Sequence, residues 1–341
     1  MLRNLVAVLV LACLLTVCVT GCAGPDGDPG SQRLILANVH VAGYPTARGL
    51  ETFAQAVADD PALAGVEVEL QLGGVLGNEK EALEKLGFGG VQMVASSVAP
   101  LAEFTDIIGV LTLPYLFRDP EHFWTVLDGP LGDELLASVE PAGFVALAWY
   151  DAGARSFYNR ERPVVRLADL EGLQIRVQKS EVMRQMVEAL GARPVALGFK
   201  DVYTNLHTGA IDGAENNLPS YRSERHFEVA THYSLDRHTM VPDVLLINRQ
   251  VFDGLSGEQQ EALRRAARAS SEAQRGFWSE TEAEARAAVE AAGSTITEVE
   301  DIEAFQQAVE PLYAEHGARW GDLVARIRAQ GAEGAEEAGT P

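Results

Sequence analysis

The chain has 341 residues, 47% of them hydrophobic, and a formal net charge of −22 at pH 7. This length exceeds one ordinary core and predicts two lobes, each with ample apolar material for a core of its own. The negative surface repels nucleic acid, which argues against a nucleic-acid partner. An anionic ligand would have to be captured by local arginines, because salt screens the overall field.

The first residues are typical of an export signal rather than of a folded core. Arg3 is followed by an apolar stretch, 5–19, that is short for a membrane span, and small residues then precede Cys22. This order resembles a bacterial lipoprotein signal, which predicts a signal peptide over 1–21, acylation of Cys22 and a flexible tether over 22–32. A plain secretory signal and an uncleaved anchor are the alternatives.

Cysteine and histidine usage gives no indication of a metal or cofactor. All three cysteines, at positions 13, 18 and 22, lie in the leader, so the remaining chain has no thiol for a disulfide, a metal site or a nucleophile. His226, His232 and His238 recur at intervals of six, which fits neither helical nor strand stacking around one ion. We therefore expect no metal and no cofactor.

Catalytic motifs are also missing from the sequence. There is no Gly-x-Ser-x-Gly elbow, no His-Glu-x-x-His helix and no Walker loop. We predict that the protein is not an enzyme. A secreted hydrolase of acidic sugars stays open as an alternative, because 49 acidic residues supply many possible carboxylate pairs.

The residues after the leader alternate between strands and helices. Strands are predicted at 33–41, 66–72 and 91–97, which is typical of an α/β lobe with a largely parallel sheet. Ligands of such sheets bind beyond the carboxyl ends of the strands. His40 ends the first strand and Glu79 follows the second, so both are candidate walls of a cleft, although Glu79 taken alone fits the first turn of a helix better than a ligand contact.

The predicted strand 173–177 carries an arginine on the face away from its apolar residues. The apolar residues occupy alternate positions, so Arg176 projects to the opposite face, where a cleft would lie. A guanidinium can bind a carboxylate through two parallel hydrogen bonds, which Lys cannot do. A carboxamide some forty residues later, in Asn216 or Asn217, could bind the same ligand. The alternative is a surface Arg176 paired with an Asp or Glu.

The last third of the chain is predicted to be mainly helical. Residues 221–233 are expected to form a helix, and 235–248 to cross back to the first lobe. Ser256 and Gln259 resemble a capping box that opens a long charged helix reaching about Ala292. A helix of this length is unusual within one lobe and would suit a strut across both.

Several segments, in order along the chain, resemble the solute-binding subunits of tripartite ATP-independent periplasmic (TRAP) transporters. The segments are Leu76–Glu79, Leu113–Phe117, Gly153–Phe157, Asp169–Val177, Phe199–Tyr203 and Gly209–Asn216. The likeness covers nearly the whole chain after the leader. It implies a two-lobed α/β fold like that of periplasmic binding proteins, in which the lobes close on a ligand and one long helix spans both.

This resemblance also implies a division of the chain. Lobe one comprises 33–152 and 240–256, and lobe two comprises 153–239. The long helix and the C-terminal helices that pack on both lobes occupy 257–330. Residues 331–341 form a disordered tail.

The family likeness implies seven ligand-binding residues. These are His40, Glu79, Arg155, Arg176, Phe199, Asn216 and Asn217. Arg176 would hold the ligand carboxylate, Asn216 would add a hydrogen bond, and Phe199 would offer its ring to the apolar face of a sugar. Arg155 would line the site, and Glu79 and His40 would reach ligand hydroxyls from the first lobe.

A finer likeness is to the branch that binds hexuronates and related sugar acids, and it is carried by Tyr44–Thr46, Ala214–Asn217 and Pro219–Tyr221. That branch often has an arginine near the end of the third strand, where this chain has Ala95–Ser97. The resemblance implies an extracytoplasmic, lipid-anchored receptor that delivers a small organic acid to the TRAP membrane permease. A four-carbon dicarboxylate or a hydroxy or keto acid is the alternative ligand, and a signalling protein is the alternative partner.

Overall fold

The computed structural model describes residues 32–331. The predicted signal peptide, Cys22, and nearly all of the predicted tether and C-terminal tail lie outside the described residues. Among the described residues, no helix combines the length and the apolar character needed to cross a bilayer.

Strands and helices alternate through most of the described chain. The strands are β1 Gln32–Ala37, β2 Val66–Gln71, β3 Met93–Ser97, β4 Phe144–Tyr150, β5 Arg155–Asn159, β6 Gln174–Val177, β7 Arg193–Ala196, β8 Gly213–Asn216, β9 His232–Thr239, β10 Asp243–Asn248 and β11 Thr295–Glu298. The α-helices are α1 Pro45–Asp59, α2 Glu79–Gly87, α3 Val98–Leu101, α4 Pro120–Leu127, α5 Pro130–Ala137, α6 Glu181–Ala189, α7 Val202–Thr208, α8 Leu218–Ser223, α9 Arg249–Asp253, α10 Gly257–Ala291, α11 Ile302–Glu315 and α12 Gly317–Ala329.

The first lobe is built on a five-stranded sheet with the order β2-β1-β3-β10-β4. β1 and β3 run parallel, whereas β10 runs antiparallel to both β3 and β4. Successive residues of β10 face two different apolar cores, with Val244 and Leu246 in one and Leu245 and Ile247 in the other. The strand is therefore buried on both faces, and its first residue, Asp243, lies at the edge of the sheet that meets the second lobe.

The second lobe is built on a six-stranded sheet with the order β11-β9-β5-β8-β6-β7. β5 runs antiparallel to β8 and β9, while β6 runs parallel to β7 and β8. The chain passes between the lobes from β4 to β5 and from β9 to β10. In the first of these links Gly153 has a φ of +57°, and a Cβ there would come within 2.7 Å of the Trp278 ring. Both the conformation and the close approach explain the glycine.

One long helix packs on both lobes. α10 covers 35 residues and opens with the predicted capping box between Ser256 and Gln259. Leu263, near its start, is buried in the core of the first lobe, and Val289, near its end, is buried in the core of the second. At a rise of about 1.5 Å per residue the helix is roughly 50 Å long. The predicted fold class, a two-lobed α/β protein spanned by a long helix, is confirmed; the lobe boundaries given above stay a prediction.

The predicted helix over 221–233 is wrong beyond its first residues. α8 ends at Ser223, Arg225 has a φ of +58°, and β9 begins at His232. β9 pairs with β5 on one side and β11 on the other. These long-range pairings outweigh the local helical pattern.

Candidate ligand-binding site

Two small cavities lie in the gap between the lobes. The first, of about 20 Å³, is lined from the first lobe by Val39, His40, Tyr44, Glu79, Ser97 and Asp243 and from the second lobe by Arg155, Gln178, Phe199, Asn216, Asn217 and Ser220. The second, of about 10 Å³, shares Glu79 and Phe199 with the first and adds Arg176. Each has room for about one water molecule. A larger ligand therefore requires the lobes to move apart.

The structure brings all seven predicted site residues to this gap. His40, Glu79, Arg155, Phe199, Asn216 and Asn217 line the first cavity, and Arg176 lines the second. Their roles in binding stay a prediction, but the local contacts of each side chain show what chemistry it has available.

Arg176 is a buried guanidinium with no acidic partner in the part of the chain that the structure describes. The residue is 2% exposed, and its Nε and Nη2 both donate to the carbonyl oxygen of Leu197, at 3.0 and 2.7 Å. No Asp or Glu within residues 32–331 forms an ion pair with it at 4.0 Å or less. The alternative of a surface arginine paired with an acid is therefore wrong. Burial lowers the pKa of Arg176, which means that its charge is less well stabilised here than in water.

Arg155 is almost as buried but is neutralised within the protein. Its Nε and Nη2 donate to the two carboxylate oxygens of Glu215 at 2.5 and 2.9 Å, and its Nη1 donates to Asn216 Oδ1 at 3.0 Å. His238 lies behind Glu215, 3.3 Å from its carboxylate and 2.9 Å from that of Asp236. Acidic and basic side chains thus alternate along this buried row, from Asp236 to Arg155.

The pKa values of this row follow from its charges. Burial alone would raise the pKa of Glu215, but Arg155 and His238 outweigh it and lower that pKa to about 2. Burial alone would lower the pKa of His238, but Asp236 and Glu215 raise it to about 9. At neutral pH Glu215 is therefore ionised and His238 carries a proton on both ring nitrogens.

The two asparagines at the end of β8 have different partners. Oδ1 of Asn216 accepts hydrogen bonds from Arg155 Nη1 and from the Asn217 backbone N–H at 2.9 Å, which fixes the orientation of the amide. Its Nδ2 has no protein acceptor among the described residues and is available to a ligand. Oδ1 of Asn217 accepts from the backbone N–H of Ser220 at 2.8 Å and from Tyr44 Oη at 3.3 Å. The second amide therefore caps α8 and contacts the first lobe.

Aromatic rings from both lobes meet beside the first cavity. His40 stacks on Tyr44 with ring centroids 3.8 Å apart and meets the edge of Phe199 at 5.2 Å. Tyr44 Oη also lies 2.9 Å from Ser220 Oγ of the second lobe. Burial, together with two nearby cations, lowers the pKa of His40 to about 3, so its ring is neutral at physiological pH.

Two carboxyl groups of the first lobe line the same cavity. Oε1 of Glu79, the first residue of α2, accepts from the Ser97 backbone N–H at 3.0 Å. Oδ2 of Asp243, the first residue of β10, accepts from Thr46 Oγ1 at 3.1 Å. Burial raises the pKa of both groups, and repulsion from Glu79 adds to burial in raising the pKa of Asp243 to about 7.

Sequence reasoning missed several polar side chains of the first cavity as individual site residues. They are Tyr44, Ser97, Gln178, Ser220 and Asp243. Tyr44 and Ser220 do belong to the motifs of the sugar-acid branch, so part of their signal was present. Asp243 had none, because it opens an apolar strand far along the chain from the other first-lobe residues.

The histidines considered as metal ligands do not form a metal-binding cluster in the described chain. Within residues 32–331 no cluster of three or more His, Cys, Asp or Glu side chains is placed to hold a metal ion. His226 Nδ1 lies 2.8 Å from Tyr158 Oη, and His238 lies between two carboxylates.

Comparison with known families gives a match over nearly all of the described chain. Residues 36–319 match the family described as bacterial extracellular solute-binding protein, family 7. The chain belongs to this family. Its members' solute-binding role accounts for a two-lobed fold with polar side chains converging between the lobes.

Solved structures of TRAP solute binding proteins with bound sugar acids have the same fold as this chain. A TRAP periplasmic solute binding protein from Bradyrhizobium sp. BTAi1, in complex with α/β-D-galacturonate, is 42% identical and has a TM-score of 0.84, covering 87% of this chain and 99% of that chain. One from Roseobacter denitrificans, with bound β-D-glucuronate, is 39% identical with a TM-score of 0.84, covering 88% of this chain and 100% of that chain. The resemblance to TRAP solute-binding subunits is confirmed.

A more distant relative in the comparison has a different ligand in its name. The C4-dicarboxylate-binding periplasmic protein of Rhodobacter capsulatus is 31% identical over 311 residues, which cover 89% of this chain and 92% of that protein. The proteins similar to this chain are thus named for, or solved with, acids that carry either one or two carboxylates.

Proposed function

We propose that this family 7 protein is the receptor of a TRAP transporter for a hexuronate or a closely related sugar acid. The observation that carries the proposal is the buried guanidinium of Arg176, which lines a cavity between the lobes and has no acidic partner within residues 32–331. A ligand carboxylate that accepted two parallel hydrogen bonds from it would supply the missing opposite charge. The 39% and 42% identities to proteins with bound glucuronate and galacturonate support the ligand class.

The other predicted residues would act on the body of the ligand. Asn216 Nδ2 would donate a hydrogen bond, and the Phe199 ring would cover an apolar face of the sugar. Glu79 would accept from ligand hydroxyls, and neutral His40 would offer one nitrogen. Arg155, already bound to Glu215, would line the site and orient Asn216 rather than form a second clamp.

The proposal extends to the cellular setting of the receptor. Family 7 is extracellular by description, and we place this member at the membrane through acylation of Cys22, from where it would deliver its ligand unchanged to the permease subunits. Mass spectrometry of the mature protein tests the anchor: a lipid-modified N-terminal Cys22 supports it, and an unmodified N-terminus elsewhere contradicts it.

Titration calorimetry with the purified protein tests the ligand and the clamp. We expect D-glucuronate or D-galacturonate to bind with a Kd near 1 μM, equivalent to about −8 kcal/mol. Arg176→Lys keeps the charge but loses the fork geometry. It should weaken binding at least tenfold, which corresponds to a loss of about 1.4 kcal/mol or more in binding free energy. Arg326→Lys is the matched control, because Arg326 is an exposed arginine paired with Glu134.

Three results would contradict parts of the proposal. Unchanged affinity in Arg176→Lys removes Arg176 from the mechanism. Tighter binding of succinate or malate than of either uronate favours the four-carbon dicarboxylate alternative. Chemical conversion of the uronate during the titration favours the hydrolase.

A further inference from the structure

Asp243 is a buried residue whose carboxyl group has one oxygen available to accept a hydrogen bond from a ligand. It opens β10 between Ser97 of β3 and Tyr150 of β4, and the residue is 4% exposed. Oδ2 accepts from Thr46 Oγ1 at 3.1 Å and lies 4.0 Å from His40 Nε2. Oδ1 has no hydrogen-bond partner among the described residues, and the side chain lines the first cavity.

Across the same cavity, one oxygen of Gln178 is buried and lacks a partner among the described residues. Gln178 is 6% exposed, it lines the cavity from the second lobe, and its Oε1 makes no hydrogen bond within the described chain. Buried polar atoms are nearly always paired in native proteins. Free oxygens on both sides of one cavity therefore indicate a ligand that presents hydrogen-bond donors, as sugar hydroxyls do.

Asp243 and Arg176 line different cavities of the gap. Glu79 and Phe199 line both cavities, whereas Asp243 lines only the first and Arg176 only the second. A ligand that filled both cavities would pass Glu79 and Phe199 in the middle. With its carboxylate on Arg176, its far end would meet Asp243.

The charged groups around Asp243 do not favour a second anion at that end. Glu79 of α2 and Asp151 after β4 are acidic and raise the pKa of Asp243, as burial does, while Thr46 of α1 and Arg155 of β5 act in the opposite direction. His40 is neutral at physiological pH and offers no positive charge. Arg155 is already neutralised by Glu215.

We propose that Asp243 determines specificity, by binding hydroxyl groups at the end of the ligand away from Arg176 and by excluding acids that carry a second carboxylate there. The inference rests on the proposed function, because it takes Arg176 as the site of the single ligand carboxylate. A hydroxyl can donate to Oδ1, whereas a second carboxylate would bring like charges together in a poorly hydrated cavity. The substrate class is thus polyhydroxy monocarboxylates, and dicarboxylates of similar length are rejected.

D-glucuronate and D-glucarate are a suitable pair of probes, because both have six carbons and glucarate carries a second carboxylate at the far end. In displacement calorimetry at about pH 8, we expect the wild-type protein to prefer glucuronate by at least ~100-fold, which like-charge repulsion readily supplies. Asp243→Asn keeps the size and an acceptor for Thr46, and should reduce this preference at least ~10-fold, mainly through tighter glucarate binding. Asp253→Asn removes an exposed carboxylate from α9 and should leave the preference unchanged.

A pH titration of the wild-type protein gives a second readout that does not depend on how well a variant folds. Both ligands stay fully ionised between about pH 6 and 8.5, whereas the carboxyl group of Asp243 ionises across this range. The preference for glucuronate should therefore grow as the pH rises in the wild-type protein and stay constant in Asp243→Asn.

The outcomes separate this inference from the proposed function. A wild-type protein that fails to bind glucuronate and galacturonate contradicts the proposed function itself. If glucuronate binds normally but Asp243→Asn has the wild-type preference, or the wild-type preference does not change with pH, the assignment of Asp243 is overturned while Arg176 keeps its role.

Discussion

Two buried arginines, Arg155 and Arg176, face the same gap with opposite electrostatic arrangements. Arg155 is 4% exposed and binds both oxygens of the Glu215 carboxylate, whereas Arg176 is 2% exposed and, within residues 32–331, donates only to the carbonyl oxygen of Leu197. Burial lowers the pKa of each guanidinium, but Glu215 outweighs burial at Arg155 and raises its pKa, while the pKa of Arg176 stays lowered.

This difference shows that one site combines charges already paired within the protein, at Arg155, with a charge available to a ligand, at Arg176. The row from Asp236 through His238 and Glu215 to Arg155 satisfies its charges internally and fixes the amide of Asn216. The positive charge of Arg176 is only partly compensated within the protein. This lowers the stability of the ligand-free protein and favours binding of an anionic ligand. The two arginines should therefore respond in opposite ways to the same substitution.

The largest expected effect is on stability, at Arg155. Arg155→Met leaves the carboxylate of Glu215 buried without its main partner, a change that typically costs about 3–5 kcal/mol in the free energy of unfolding. Because His238 still compensates part of that charge, we expect a loss near ~3 kcal/mol, measured by urea denaturation. Arg326→Met breaks an exposed pair with Glu134 and should cost less than ~1 kcal/mol. A similar loss in both variants would mean that the buried Arg155–Glu215 pair contributes no more to the free energy of unfolding than an exposed pair.

The next effect separates binding from stability, at Arg176. Arg176→Met removes a buried charge that has no ion-pair partner within residues 32–331, so the free energy of unfolding without ligand should stay the same or increase. Uronate binding should weaken by at least ~100-fold, because two charge-assisted hydrogen bonds, each of about 1.5–3 kcal/mol, are lost. Calorimetry and urea denaturation of the same samples measure both quantities. A destabilisation as large as that of Arg155→Met would contradict the distinction between the two arginines.

The third effect concerns pH and the row behind Arg155. The pKa of His238 is raised in the folded state to about 9, so its contribution to stability is fully present below about pH 6.5 and is lost as the pH rises through 9. The free energy of unfolding should therefore fall between about pH 7 and 9.5, by at most ~1.4 kcal/mol per pH unit. Glu215, with a pKa lowered to about 2, adds stability that is lost only as the pH falls toward 2.

A substitution at His238 identifies the source of the alkaline loss. His238→Gln should remove most of this pH dependence, whereas His207→Gln, at an exposed position of α7, should retain it. An unchanged alkaline profile in His238→Gln would show that the row behind Arg155 is not charged as described.

The sequence by itself determined those features that depend on residues close together in the chain. The capping box of Ser256 and Gln259 set the start of α10, and period-two alternation identified the strand that carries Arg176. The motifs shared with the TRAP family identified the fold class and pointed to seven residues that do meet at the gap between the lobes.

Only the tertiary structure decided which charges face one another. Arg155 and Glu215 are brought together by pairing of β5 with β8, and Asp243 reaches the cavity because β10 returns to the first sheet. The same long-range pairing begins β9 at His232, inside the end of the segment 221–233 that was predicted to be helical. A charge's partner and its burial depend on contacts between residues far apart in sequence, and local periodicity carries no information about those contacts.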